Sequence, residues 1–333
     1  LQKLFLNLKH YKYMIGAIIG DIVGSRWEFD PTNDYGFEWL SDENDFTDDT
    51  ICTVAVADAL LNNKDFGDSI HEWCRRYPRP MGGYGGSFAR WVHCEFPKPY
   101  NSFGNGSAMR VSPVAHWYDN ENKVIETAAA TALPTHNHPK GIKGAQTMAL
   151  AIFKAMQFNR YGYQAASMHI DEILKACVEF SGYDINMPKS SVLNKFDETC
   201  QGTVPVALKI ISMSTDFEDA IRLAVSLGAD ADTLGAIVGS IAEPIWGIPS
   251  QIRYQIERKL PYEMRHVLDG FYSKCYRSYK PLFDTTFYKK NYSDATWDLF
   301  DDNESEELMG VVDKEKEKKR CIMAERAKAR EKW

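Results

Sequence analysis

The chain of 333 residues is 44% hydrophobic and 26% charged, enough apolar material to bury the core of one large domain or two smaller ones. Its formal net charge of −7 offers no positive field to gather phosphates, which disfavours nucleic acid as a partner. No stretch of about 18 uncharged apolar residues is present, so no membrane span is expected, and seven cysteines (52, 74, 94, 177, 200, 275, 321) without a C-x-x-C suit free thiols in a reducing cytosol better than a disulfide framework.

In chain order, the leader from Leu1 to Tyr13 sets Lys3, Lys9 and Lys12 around an apolar patch too short for a signal sequence, and a cytoplasmic protein is expected. Ile15, Ile18, Ile19, Ile22 and Val23 then follow helical spacing. On that helix Asp21, Gly24 and Glu28 share a face at i, i+3 and i+7, and the small Gly24 lets another backbone come close. Glu28 emerges at the helix end; by spacing alone it is equally an exposed carboxylate.

Thr47-Asp48-Asp49-Thr50 opens onto the apolar run from Ile51 to Leu61, as a helix N-terminus does. Residues 77 to 113 carry Pro78, Pro80, Gly82, Gly83, Gly85, Gly86, Pro97, Pro99, Gly104 and Gly106, which predicts a long loop of the kind that binds ligands. Successive N–H groups at Gly83-Tyr84-Gly85-Gly86 and from Gly104 to Ser107 suit a diphosphate; ordinary turns are the alternative. Neither stretch follows a strand, so a dinucleotide fold is disfavoured.

Ala-rich segments at 128–132, 144–156 and 217–227 predict further helices, and alternating strand patterns are scarce, so the fold class is all-α. His136 and His138 lie in a polar break between two of these helices, without a second His/Cys cluster to complete a zinc site. No G-x-S-x-G elbow supports a covalent serine mechanism. Asp230-Ala231-Asp232-Thr233 opens a second apolar run, with Leu234, Ile237, Val238 and Ile241 at helical spacing and Glu243-Pro244 interrupting it. A linker-like break follows near 279–293, then an acidic stretch at 298–307. The tail from 313 to 333 holds nine Lys or Arg against five Asp or Glu and is expected to be a solvated polar helix, with a docking helix as the alternative.

Capping explains either acidic cluster alone. Taken together they supply four carboxylates and several hydroxyls where capping needs one side chain per helix, and convergence without a cation would set like charges against each other. Oxygen ligands of this kind suit Mg²⁺, Mn²⁺ or Ca²⁺, and a pair of ions is the simplest means of holding them together.

Several blocks around these clusters resemble the ADP-ribosylglycohydrolase family, the group that includes the dinitrogenase-reductase-activating glycohydrolases. They are Gly16-Ala17-Ile18-Ile19-Gly20-Asp21-Ile22-Val23-Gly24-Ser25-Arg26-Trp27-Glu28, Thr47 to Thr50, Gly104-Asn105-Gly106-Ser107-Ala108-Met109-Arg110, Thr135-His136 and Asp230 to Thr233, in the family's order. The resemblance implies a compact orthogonal helical bundle with long Gly/Pro-rich active-site loops, a catalytic domain over 14–283, a linker and charged tail over 284–333, and a leader over 1–13 without assigned structure. It implies two Mg²⁺ or Mn²⁺ ions on Thr47, Asp48, Asp49, Asp230, Asp232 and Thr233, with Glu28 taking a proton from the attacking water and Asp21 supporting from behind. Ser102, Phe103, Asn105, Gly106 and His136 are then expected to contact ADP-ribose beside Gly83, Gly85 and Gly86, and His138 to cap a helix or face solvent. The expected activity is hydrolysis of the bond between ADP-ribose and an acceptor, a protein side chain or small molecule, by a monomer. A non-catalytic ADP-ribose binder, as in the jellyfish lens crystallins that resemble the family, is the alternative. The sequence departs from the usual second metal motif at Ala229 and Ala231, which removes no carboxylate.

Overall fold

A computed structural model describes residues 15–278, 321, 324–326, 328–331 and 333. The leader, the break near 279–293 and the acidic stretch at 298–307 lie outside the described residues. Within them the secondary structure is helical, and the one pairing of extended backbone is a bridge between Gly104 and Thr199. In chain order the helices are α1 (Gly16–Ser25), α2 (Asp48–Asn62), α3 (Phe66–Arg76), α4 (Gly86–His93), α5 (Gly106–Met109), α6 (Ser112–Trp117), α7 (Glu121–Ala132) and α8 (Pro139–Asn159). Then come α9 (Tyr163–Met168), α10 (Ile170–Ser181), α11 (Cys200–Met213), α12 (Phe217–Val225), α13 (Ala231–Trp246), α14 (Ser250–Glu257) and α15 (Tyr262–Ser278). No helix among the described residues is long and apolar enough to cross a membrane.

The centre of the bundle is α13, buried from Ala231 to Ile245 as a helix apolar on every side must be. It runs antiparallel to α1 at backbone contact. A Cβ on Gly16 would lie 2.3 Å from the Gly239 carbonyl oxygen, one on Gly20 1.9 Å from that of Gly235, and one on Gly24 2.3 Å from that of Ala231. Three glycines four residues apart thus make a flat stripe on α1 against Ala231, Gly235 and Gly239. The expected close approach at Gly24 is one contact of this seam. Buried Glu243, the residue that interrupts the α13 apolar run, accepts a hydrogen bond from the Gly16 amide (2.8 Å), so its carboxylate serves the positive end of α1. The antiparallel seam brings the C-terminal end of α1, and Glu28 beyond it, to the N-terminus of α13.

Two expectations need correction. The loop over 77–113 is interrupted by α4, α5 and the start of α6; α4 forms because Phe88, Trp91 and Val92 at i, i+3 and i+4 give one face of a short helix apolar cover in the core. The tail is not wholly solvated: Cys321, Ala324, Glu325, Lys328 and Glu331 are exposed, but Arg326 is buried and donates to the carbonyls of Ser167 (2.9 Å) and Ser214 (3.4 Å), and Arg330 pairs with buried Asp219 at 2.8 Å. A helix charged on all sides docks here because the core presents acceptors, carbonyls at helix ends and one carboxylate, in place of an apolar groove.

Candidate active site

Each acidic cluster does begin a helix, as expected. At α2 the cap is the Thr47 hydroxyl, which accepts from the Asp49 amide (3.3 Å). Asp48 and Asp49 are therefore left in the first turn with their carboxylates available. At α13 Asp230 occupies the cap position but makes no capping bond; its carboxylate accepts instead from the Asn105 side-chain amide at 2.7 Å. Capping accounts for Thr47 and does not account for the carboxylates.

Asp21, fully buried on α1, ties down the start of α2. It accepts from the amides of Thr47 (3.1 Å) and Thr50 (3.0 Å) and from the hydroxyls of both, and so holds the start of α2 against α1. This is the supporting position expected of it. Across the gap the Thr233 hydroxyl donates to Asp49 at 3.2 Å. Clusters about 180 residues apart in the chain thereby face one cleft, and carboxylate oxygens of Glu28, Asp230 and Asp232 all fall within 4.8 Å of one another.

The cleft has a volume of about 400 Å³, and its walls include Glu28, Asp48, Asp49, Asp230, Asp232 and Thr233. Thr47 stands behind them, fully buried, its hydroxyl engaged with Asp21. Burial raises every one of these carboxylates, and the Asp232 charge adds to the rise in the others. Asp21 is pushed up to about 7 and Glu28 to about 9, while Asp48, Asp49 and Asp230 stand well above the usual carboxylate range. Glu28 Oε2, Asp49 Oδ1 and Asp232 Oδ1 are buried with no hydrogen-bond partner. Orphaned oxygens on carboxylates that cannot ionise side by side are the donor set a hard divalent cation satisfies, so the residues fit such an ion.

The second wall is built from glycine-bearing segments. Gly83, Gly85, Gly86, Ser102, Asn105, Gly106 and His136 all line the cleft. A Cβ on Gly83, Gly85 or Gly86 would meet nothing, so packing does not demand glycine there, although Gly83 has φ +83°. Its amide is already given to the Pro80 carbonyl (3.2 Å). The first turns of α4 and of α5 on this wall both lack a side-chain cap, and the longer α4 presents the fuller first turn of donors. His136 is buried beside Arg110, and burial followed by that charge keeps its imidazole neutral. Its Nδ1 meets the Thr135 hydroxyl at 2.7 Å. Phe103 lies in an adjoining groove, with Phe196 among its other walls, rather than in the cleft itself. His138 caps α8, its Nδ1 accepting from the Lys140 amide (3.1 Å), as expected.

Sequence reasoning gave no site role to several cleft residues, four of which matter most here. Gly82 adopts φ +74° and packs so closely on Glu28 that a Cβ would lie 2.3 Å from Oε2. Arg110 is a buried guanidinium bonded to the Thr131 carbonyl (2.9 Å) and the Thr135 hydroxyl (2.8 Å). Its setting in Ala108-Met109-Arg110-Val111, a lone charge among apolar residues, was the available signal. Tyr100 and Glu198 complete the rim, and neither carries a local signature.

An all-α bundle that converges two helix N-termini and a glutamate three residues past the end of a third helix on one acidic cleft defines the class, and comparison with known proteins agrees. The model of the ADP-ribosylglycohydrolase family matches residues 9–280, and the chain belongs to that family. Its relatives include the mouse ADP-ribosylhydrolase ARH3, 24% identical over 71% of this chain and 83% of that protein. Another is the ADP-ribosyl-[dinitrogen reductase] glycohydrolase of Rhodospirillum rubrum, 25% identical over 77% of this chain and 92% of that protein. Among solved structures, an ADP-ribosylglycohydrolase-related protein complex has the same fold, with a TM-score of 0.60 and 23% identity over 78% of this chain and 95% of that one.

Proposed function

We propose that the protein hydrolyses the glycosidic bond between C1″ of ADP-ribose and an acceptor, a protein side chain or a small molecule. The observation that carries this is the convergence of Glu28 with Asp230 and Asp232, with orphaned buried oxygens, at the meeting of two helix N-termini. Family membership supports a hydrolase of ADP-ribose linkages.

Asp48, Asp49, Asp230, Asp232 and Thr233, with Thr47 behind them, would hold two Mg²⁺ or Mn²⁺ ions, which when bound offset the carboxylates' repulsion and stabilise charge developing on ribose hydroxyls and water. Glu28 accepts the proton of the attacking water at a carboxylate oxygen, water's oxygen bonds to C1″ as the bond to the acceptor breaks, and the acceptor departs with that bond's electron pair and is neutralised by the proton Glu28 took up. Asn105, tethered to Asp230 and to the Thr203 hydroxyl (3.1 Å), fixes the second metal cluster to the glycine wall. The uncapped first turn of α4 takes the diphosphate, and neutral His136 offers a ring nitrogen to a ribose or phosphate oxygen. Phe103, Ser102 and Gly106 complete contacts along the adenosine side.

The test is release of ADP-ribose from a panel of arginine-, serine-, nucleotide- and acetyl-linked substrates, with Mg²⁺ and with EDTA. Release from at least one acceptor is expected with Mg²⁺ and none with EDTA. ADP-ribose binding without release from any acceptor would replace the hydrolase with the crystallin-like binder.

A further inference from the structure

The segment from Tyr183 to Thr199 joins α10 to α11, and within it only a single 3-10 turn (Lys189–Ser191) is regular. It nevertheless forms the outer wall of the site, since Phe196 and Glu198 line the groove beside the cleft and Glu198 reaches the cleft itself. A segment with so little structure of its own is ordered by what it touches. Its inner end is pinned to the ligand loop, where the Glu198 carbonyl accepts from the Asn105 amide (2.6 Å) and the Cys200 amide donates to Phe103 (2.9 Å). In the middle, the Asn194 amide donates to the Leu227 carbonyl (3.0 Å) and its side chain accepts from Asn33 (2.9 Å).

The outer end is held by the tail. The Trp333 indole donates to the Met187 carbonyl at 3.1 Å, and the Lys189 ammonium stands 5.5 Å from its ring centroid. Three residues earlier Arg330 pairs with Asp219 and covers the Tyr35 ring at 4.3 Å. Tyr35 itself donates to Asp219 (2.6 Å) and belongs to the other wall, the stretch that leads from Glu28 to the start of α2. The two walls meet at the mouth, where Phe29, next to Glu28, stacks on Phe196 with ring centroids 6.1 Å apart. Arg326 anchors the tail on the carbonyls of Ser167 and Ser214.

We infer that the segment around Arg326, Arg330 and Trp333 is a clasp that positions both walls of the active-site mouth, with Arg330 and Trp333 as positioning residues for substrate capture. The inference rests on the proposed hydrolase for its kinetic consequence and on geometry alone for its structural one. Neither residue touches the cleft, so the chemical step is left intact and the ordering of the walls is what they alter.

The experiment compares the full chain with Trp333→Ala, Arg330→Ala and the conservative Arg330→Lys. Amide exchange in 183–199 is expected to accelerate in both alanine variants while α13 keeps its protection. KM, or the Kd of free ADP-ribose, should rise about tenfold with kcat within about twofold, because uniform binding is lost and not transition-state contact. Arg330→Lys should recover most of the loss through Asp219. Unchanged exchange in 183–199 and unchanged KM would overturn the clasp. So would protection lost evenly through α13, which would make the tail general scaffolding. A wild-type chain inert toward every acceptor would count against the hydrolase, and the exchange pattern would then decide the clasp.

Discussion

Glu28 and Asp232 share the same few ångströms yet are assigned different tasks, and single substitutions separate them. Glu28→Gln keeps the shape and removes the proton acceptor, so turnover should fall about 10²-fold or more while ADP-ribose affinity changes little. Calorimetry beside a release assay reads both, and full activity in the variant would move proton transfer away from this residue. Asp232 raises the carboxyls of Asp21, Glu28, Asp48, Asp49 and Asp230 through its charge. Asp232→Asn should weaken metal binding and abolish turnover, yet raise the melting temperature of the metal-free protein, since the repulsion it relieves is a cost of the folded state. A lower metal-free melting temperature would show that its hydrogen bonds outweigh its charge.

At the scale of the element, the glycines divide into those the fold requires and those a ligand requires. Gly20 and Gly24 lie against the carbonyls of Gly235 and Ala231, where backbone cannot yield as a side chain can. Gly24→Ala should destabilise by about 1–3 kcal/mol and weaken metal affinity, because parting α1 from α13 also carries the start of α2, which Asp21 holds to α1, and with it Asp48 and Asp49, away from Asp230 and Asp232. Gly85→Ala is the contrasting case, since its Cβ meets nothing. Stability should stay within about 0.5 kcal/mol, and KM should rise if the diphosphate lies at the start of α4. Thermal melts with a metal titration check the first substitution, and melts with kinetics check the second. Equal destabilisation by the two would remove the distinction.

For the whole molecule, a buried acidic cluster makes stability depend on pH in a direction that a cation reverses. Asp21 is raised from 3.8 to about 7 and Glu28 from 4.5 to about 9, both first by burial and then by the Asp232 charge. The folded state thus holds protons that the unfolded state has released, and the stability tied to them is fully present below the ordinary values and lost as pH rises through about 7 and then about 9. In EDTA the melting temperature should fall between about pH 5 and pH 9. With saturating Mg²⁺ the curve should lie higher by an increment that grows with pH, as ions bind the charged form and stabilise by mass action. Parallel curves in the two conditions would mean that the carboxylates do not share an ion.

The sequence alone makes the helical class and the family blocks legible. Ile15 to Val23 and Leu234 to Ile241 can satisfy their spacing only as helices, and the two acidic clusters announce themselves because each starts such a run. The α4 helix was hidden by the glycines before it and by its own brevity, with an apolar face of only Phe88, Trp91 and Val92. Tyr100 and Glu198 were hidden for another reason: a residue on the far wall of a cleft has no local pattern, since its neighbours in space are remote in the chain. The same holds for the tail, where charge around a helix predicts solvent unless the core offers acceptors such as Asp219 and the Ser214 carbonyl. Periodicity and capping are properties of neighbouring residues and can be read along the chain. Which carboxylates share a cleft, and which loops a clasp holds, depends on the antiparallel glycine seam between α1 and α13 and on contacts over 100 residues apart, and only tertiary structure decides those.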